Sequence, residues 1–219
     1  MIVGMIISGI AAMWVRRSYS KYSKQASASG MTGAQVARTI LDRNGLSNVK
    51  VEPVAGQLTD HYDPSSKVVR LSEGNFNQNS VAGVSVAAHE VGHAIQDASG
   101  YLPMKLRSGI FPIVNISQQL WVPLFFMGII MGAGAGLGQF MIQLAVIAFA
   151  GVLAFHLVTL PVEVNASTRA YSQLTRYGIL SRSEATGTKR VLSAAAFTYI
   201  AAALTAILTL LYLLLLSRQ

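Results

Sequence analysis

The chain has no cysteine, so disulfides and thiolate metal ligands are both excluded, and any metal site has to be built from His, Asp or Glu. Acidic residues are scarce too: nine Asp and Glu stand against 17 Lys and Arg. Charged residues make up 12% of the 219, about half of the roughly 25% usual in soluble domains. So little charge does not clothe a soluble globule of this length, and the mean hydropathy of +0.46 also points toward lipid. The net charge of +8 admits a nucleic acid or an anionic membrane surface as counterpart. The basic residues flank apolar segments, and no nucleic-acid motif or basic helix face accompanies them, which favours the membrane.

Four apolar stretches stand out. The first, Met1 to Val15, is uncharged and sits at the lower limit of the ~20 residues a crossing helix needs. The second runs from about Ile110 to Gly134 and contains Pro112, Asn115, Gln118, Gln119 and Pro123, whose polar groups are expected to face other helices rather than lipid. The third, from about Gln139 to Leu160, includes His156; the fourth, from about Val191 to Leu216, ends in TLLYLLLL. Of the 17 basic residues, 11 fall between Arg16 and Arg107, five between Pro161 and Arg190, none in the GAGAGLG connection, and one, Arg218, at the C-terminus. With four crossings, 16 of 17 lie on one side, a positive-inside pattern that predicts both polar regions in the cytoplasm and the N-terminus outside. Met1 to Val15 has no basic residues before its apolar run, so it reads as an uncleaved anchor and not as a signal peptide.

The first polar region reads as a small mixed domain. Val36, Ala37, Ile40 and Leu41 have helical spacing, and Asn44-Gly45 stops that helix. VKVEPVAGQLTDHYD and KVVRLS read as two strands joined by the turn Asp63-Pro64-Ser65-Ser66. From about Ser80 to Ala98 the pattern is helical again, and within it lies His89-Glu90-Val91-Gly92-His93.

That spacing carries chemistry. Positions i and i+4 share one helix face, so two imidazoles there reach one zinc ion at about 2.0–2.1 Å. Glu90 is offset from the pair yet close to it, which suits a general base for a metal-activated water. With four histidines in the chain, a pair at this spacing flanking a glutamate is informative. Gly92 inside the motif costs helix propensity and permits close packing.

A catalytic site needs a third protein ligand and an open position. Glu163, in Pro161-Val162-Glu163-Val164-Asn165-Ala166-Ser167, is a carboxylate immediately after an apolar segment and on the predicted side of the motif. His156, two turns earlier, is the other candidate; Pro161 is expected to break the helix between them. Asp97, at i+8 from His89, is ~12 Å away along a helix and suits only an orienting role toward His93. His61 or Tyr62 on a strand beside the motif could donate to a developing oxyanion, and Arg169 could orient ligands or anchor its helix at the headgroups.

GQLTDHYDP, KVVRLS, SVAAHEVGHAIQ and LPVEVNAS together resemble the YugP-type neutral zinc metallopeptidases of prokaryotic membranes, over nearly the whole chain. Glu163-x-x-Ala166-Ser167-x-x-Ala170 is similar to the third-ligand helix of HtpX-type membrane peptidases, in which an acidic residue often stands where this chain has Ser167. The resemblance implies Zn2+ bound by His89, His93 and Glu163, with Glu90 as catalytic base.

The expected fold is a mainly α membrane protein of about four transmembrane helices with a small α+β zincin-like cytoplasmic domain. Its parts are a transmembrane helix at 1–15, the zincin-like domain at 16–108, transmembrane helices 2 and 3 at 109–160, a cytoplasmic helix with the third ligand at 161–190, and transmembrane helix 4 at 191–219. The expected function is a gluzincin-like metalloendopeptidase of the cell membrane. It would hydrolyse peptide bonds of membrane or unfolded proteins at the cytoplasmic face, with Glu90 and His61 as catalytic residues and a protein or peptide substrate and the lipid bilayer as partners. The alternative is a non-catalytic zinc-binding scaffold or assembly factor. Intramembrane chemistry is disfavoured because crossing-length segments begin only after Arg107.

Overall fold

The computed structural model describes residues 2–134 and 136–217. Its elements run α1 (Ile2–Tyr22), α2 (Gly33–Arg43), β1 (Lys50–Val54), β2 (His61–Asp63), β3 (Val68–Ser72), α3 (Glu73–Asn77), α4 (Val81–Ala98), α5 (Leu102–Ile130), α6 (Gly136–Arg176) and α7 (Ala185–Leu216). Arg218, the isolated basic residue of the charge pattern, lies outside the described residues.

The described residues divide into two compact units. One comprises residues 2–10, 102–161 and 198–217; the other comprises residues 11–101 and 162–197. In the first unit, Trp121 of α5 stacks edge-on against Phe149 of α6 at 4.8 Å. Phe149 clusters with Ala206 and Leu213 of α7, and Phe125, Leu153 and Leu210 pack against them. Among the described residues, three helices, α5, α6 and α7, are long and apolar enough to cross a membrane. α1 extends past the apolar run to Tyr22 and takes in Arg16, Arg17 and Lys21, and it is not among the three. Of the α5 amides expected to face other helices, Asn115, Gln118 and Gln119 are exposed within this chain, and Gln118 lines a cavity with His156 and Thr205.

The second unit is built on a buried core of Val36, Ile40 and Leu41 (α2), Val69 and Leu71 (β3), Val84, Ala87, Ala88 and Val91 (α4), and Ala170 and Leu174 (α6). α2 begins with a capping box in which Thr32 accepts from the Gln35 N–H and Gln35 accepts from the Thr32 N–H, and it ends before Gly45 at φ 72°. The sheet order is β1-β3-β2, with β1 parallel and β2 antiparallel to β3. The two-strand reading therefore needs correction: residues 49–63 form two short strands, not one. Gly56 at φ 102° and Leu58 at φ 57° turn the chain out of extended conformation between them, so that both halves pair with β3. Pro53, which cannot donate to a ladder, sits on edge strand β1.

α6 corrects a second expectation. It continues through Pro161 without a break, so His156 and Glu163 belong to one helix. A proline removes one helical hydrogen bond, whereas unwinding the helix in apolar surroundings would strand several backbone groups.

Candidate metal centre

Ser80 caps α4, its hydroxyl accepting from the Gly83 N–H at 3.0 Å, and the helix that follows is buried on all sides from Val81 to Gln96 apart from Val86. His89, Glu90 and His93 all lie on the buried part, at 9%, 8% and 7% exposure. Their rings meet edge to face, with His89 and His93 centroids 4.8 Å apart. The partner helix is α6, and Gly92 allows it in: a Cβ at that position would stand 2.7 Å from the Ala166 carbonyl oxygen. This close approach brings Glu163, 2% exposed, to the histidine pair. Its Oε2 lies 3.2 Å from His89 Nε2 and 3.5 Å from His93 Nε2. The three residues offer ligand atoms that all lie within 4.8 Å of one another.

These residues fit a zinc ion. Ligands held about 2.0–2.1 Å from one ion at tetrahedral angles stand about 3.3 Å apart. The observed 3.2 and 3.5 Å bracket that separation. The far sides of both rings are also occupied. His93 Nδ1 lies 2.9 Å from Gln96 Oε1, and the Gln96 amide donates to the Val162 carbonyl at 2.8 Å and to Asn165 Oδ1 at 3.0 Å. With both amide hydrogens committed, the oxygen end faces His93, so Nδ1 carries the proton and Nε2 presents its lone pair. His89 Nδ1 lies 3.2 Å from Ser167 Oγ, one turn after Glu163 on α6.

Glu90 is set apart from the three. Burial pushes its carboxyl up to about 7; the His89 ring offsets this, Glu163 and Asp60 add to it, and a hydrogen bond from the Tyr62 backbone N–H opposes it. Asp60 is fixed by the Ser72 N–H at 2.8 Å, the Ser72 hydroxyl and the Asn75 amide at 2.9 Å, and Asn75 in turn accepts from the Tyr19 hydroxyl at 2.9 Å. The loop leading into β2 is therefore pinned beside Glu90.

The other candidates are placed elsewhere. Asp97 does not reach His93: it accepts from the Tyr62 hydroxyl at 2.7 Å and pairs with Lys67. The role expected of Asp97 falls to Gln96, which sequence reasoning missed; its signal was the i+3 spacing from His93. His61 is exposed on β2, with Nδ1 2.8 Å from the Thr59 carbonyl, and is not one of the clustered three. His156 likewise stands outside the cluster. Arg169 donates to Asn165 Oδ1 at 2.7 Å and so supports the amide network behind His93.

Comparison with known proteins agrees with this chemistry. The family described as "Putative neutral zinc metallopeptidase" matches residues 1–218. "Putative membrane protease YugP" of Bacillus subtilis (strain 168) is 47% identical over 211 residues, covering 96% of this chain and 91% of that protein. No solved structure matches the chain. With the family matched over its whole length and a relative of this identity covering nearly all of it, the chain belongs to the neutral zinc metallopeptidase family.

Proposed function

We propose that the chain is a gluzincin-like zinc metalloendopeptidase of the cell membrane, with His89, His93 and Glu163 as the metal ligands and Glu90 as the catalytic base. The observation that carries this reading is the convergence of one carboxylate on two helical imidazoles at tetrahedral ligand spacing. A zinc ion held there supplies a Lewis acid for the scissile carbonyl and lowers the pKa of a water toward ~7. Glu90 takes the proton of that attacking water and returns it to the departing amine. Gln96 and Ser167 hold the rings in place. His61 belongs to the same reading as the donor to the developing oxyanion.

The charge distribution supports four crossings, α1 included, with the active site on the cytoplasmic side. Membrane proteins or unfolded chains presented there are the proposed substrates. Metal analysis and casein digestion of the purified protein test the assignment. Wild type should hold stoichiometric zinc and digest casein; Glu163→Ala should lose both; Glu90→Gln should keep the metal and lose the activity. A Glu90→Gln protein that digests casein as wild type does would overturn the mechanism, and a zinc-loaded wild type inert on every polypeptide would favour the scaffold reading.

A further inference from the structure

α5 has 29 residues, and its amides cluster at mid-length. At about 1.5 Å of rise per residue, Asn115 lies about 12 Å from Arg107, the last charged residue on α5, and Gln119 about 17 Å from Ile130. Neither side chain can reach the water at a bilayer surface from that depth. Asn115, Gln118 and Gln119 are exposed, and among the described residues none has a side-chain hydrogen-bond partner. Pro123 adds to the demand, because it has no N–H to give to the Gln119 carbonyl.

The direction of the amides is fixed by what the rest of the helix touches. Val114 is buried, and Trp121 and Phe125 pack into the cluster around Phe149. At 100° per residue, Asn115, Gln119, Val122 and Phe126 form a stripe turned away from that contact, and all four are exposed. Gln118 stands at its edge, on a cavity of about 340 Å³ shared with His156 and Thr205. An unpaired amide facing hydrocarbon is costly, so this stripe requires a covering surface that both donates and accepts.

We propose that a second copy of this chain covers it, α5 against α5, with Asn115 and Gln119 paired across a two-fold axis along the membrane normal. This rests on the part of the proposed function in which α5 crosses the bilayer, and it is independent of the peptidase chemistry. A carboxamide carries donor and acceptor together, so it satisfies an identical group. Two copies inserted in the same sense place equal depths opposite each other, so the same two residues meet in an isologous contact. A carboxylate or ammonium partner would answer only half of each amide.

The absence of cysteine makes the test direct. Val122→Cys (on the stripe) and Leu120→Cys (on an exposed face well away from it) are placed singly in the full chain, reconstituted in dilute phosphatidylcholine–phosphatidylglycerol vesicles, and oxidised. Val122→Cys should give a product of twice the 23.4 kDa chain mass, and Leu120→Cys should not. Adding Asn115→Leu and Gln119→Leu should weaken self-association about tenfold, with the helix made more apolar and folding kept. Exchanging the two residues, Asn115→Gln with Gln119→Asn, should restore it. Equal crosslinking at both positions, or crosslinking that is undiminished in the double leucine variant, overturns the dimer. So does a Val122→Cys thiol that is shielded from a polar maleimide yet never crosslinks to itself. Free labelling of that thiol by the maleimide in intact vesicles would remove α5 from the bilayer, and the membrane reading with it.

Discussion

His93 Nδ1 and Gln96 Oε1 are 2.9 Å apart, and the same glutamine amide is anchored to the Val162 carbonyl at 2.8 Å, so the ring that faces Glu163 is held by the backbone of the residue before Glu163. Replacing Gln96 by Leu removes the acceptor, leaves a buried Nδ1–H unpaired and releases the ring. Zinc affinity, measured by chelator competition, should fall by about 10–100-fold. Ser167→Ala should lower it less, because a neutral hydroxyl at 3.2 Å from His89 is the weaker partner.

Gly92→Ala tests the contact between α4 and α6. The added methyl would meet the Ala166 carbonyl at 2.7 Å, closer than van der Waals contact. Either the helices separate, at about 1–3 kcal/mol, or α4 rotates. Both outcomes pull Glu163 off the histidines. The expected result is a lowered Tm together with reduced zinc content, whereas an alanine at an exposed loop site such as Gln57 should change neither.

Glu184 is a third point of leverage, away from the metal centre. It is 3% exposed and accepts from the Ala28 N–H at 2.8 Å, the Ser181 N–H at 2.9 Å and the Ser181 hydroxyl. Burial alone would raise its carboxyl, but the bonds from Ser181 and Ala28 outweigh that and hold it below the ordinary range. A depressed folded-state value stabilises above the unfolded carboxyl value, near pH 4.3, and the stabilisation is lost as pH falls through the folded one. Glu184→Gln should therefore lower Tm at pH 7, by an amount corresponding to about 1–3 kcal/mol. The gap to wild type should close as the pH is taken below about 4, where thermal unfolding of the two proteins should converge.

What was legible in the sequence follows from how local each signal is. α4 and its histidine pair were readable because helical spacing and the i, i+4 histidines report the same face. Glu163 was readable because an acid beside an apolar run is rare in this chain. The split of residues 49–63 into β1 and β2 was not, since it depends on Leu58, an ordinary residue held at positive φ by its loop. The continuity of α6 was hidden by Pro161, whose usual meaning is overridden in apolar surroundings. Gln96 carries no charge to mark it as the partner of a ring, and only the fold shows its amide satisfying His93 while also bonding the neighbouring backbone.

The sequence separation of 74 between His89 and Glu163 has a consequence for biosynthesis. A chain halted or clipped before residue 163 holds two of the three donors and cannot assemble the centre. On the proposed function, a nascent polypeptide therefore carries no complete hydrolytic centre until residue 163 has been made.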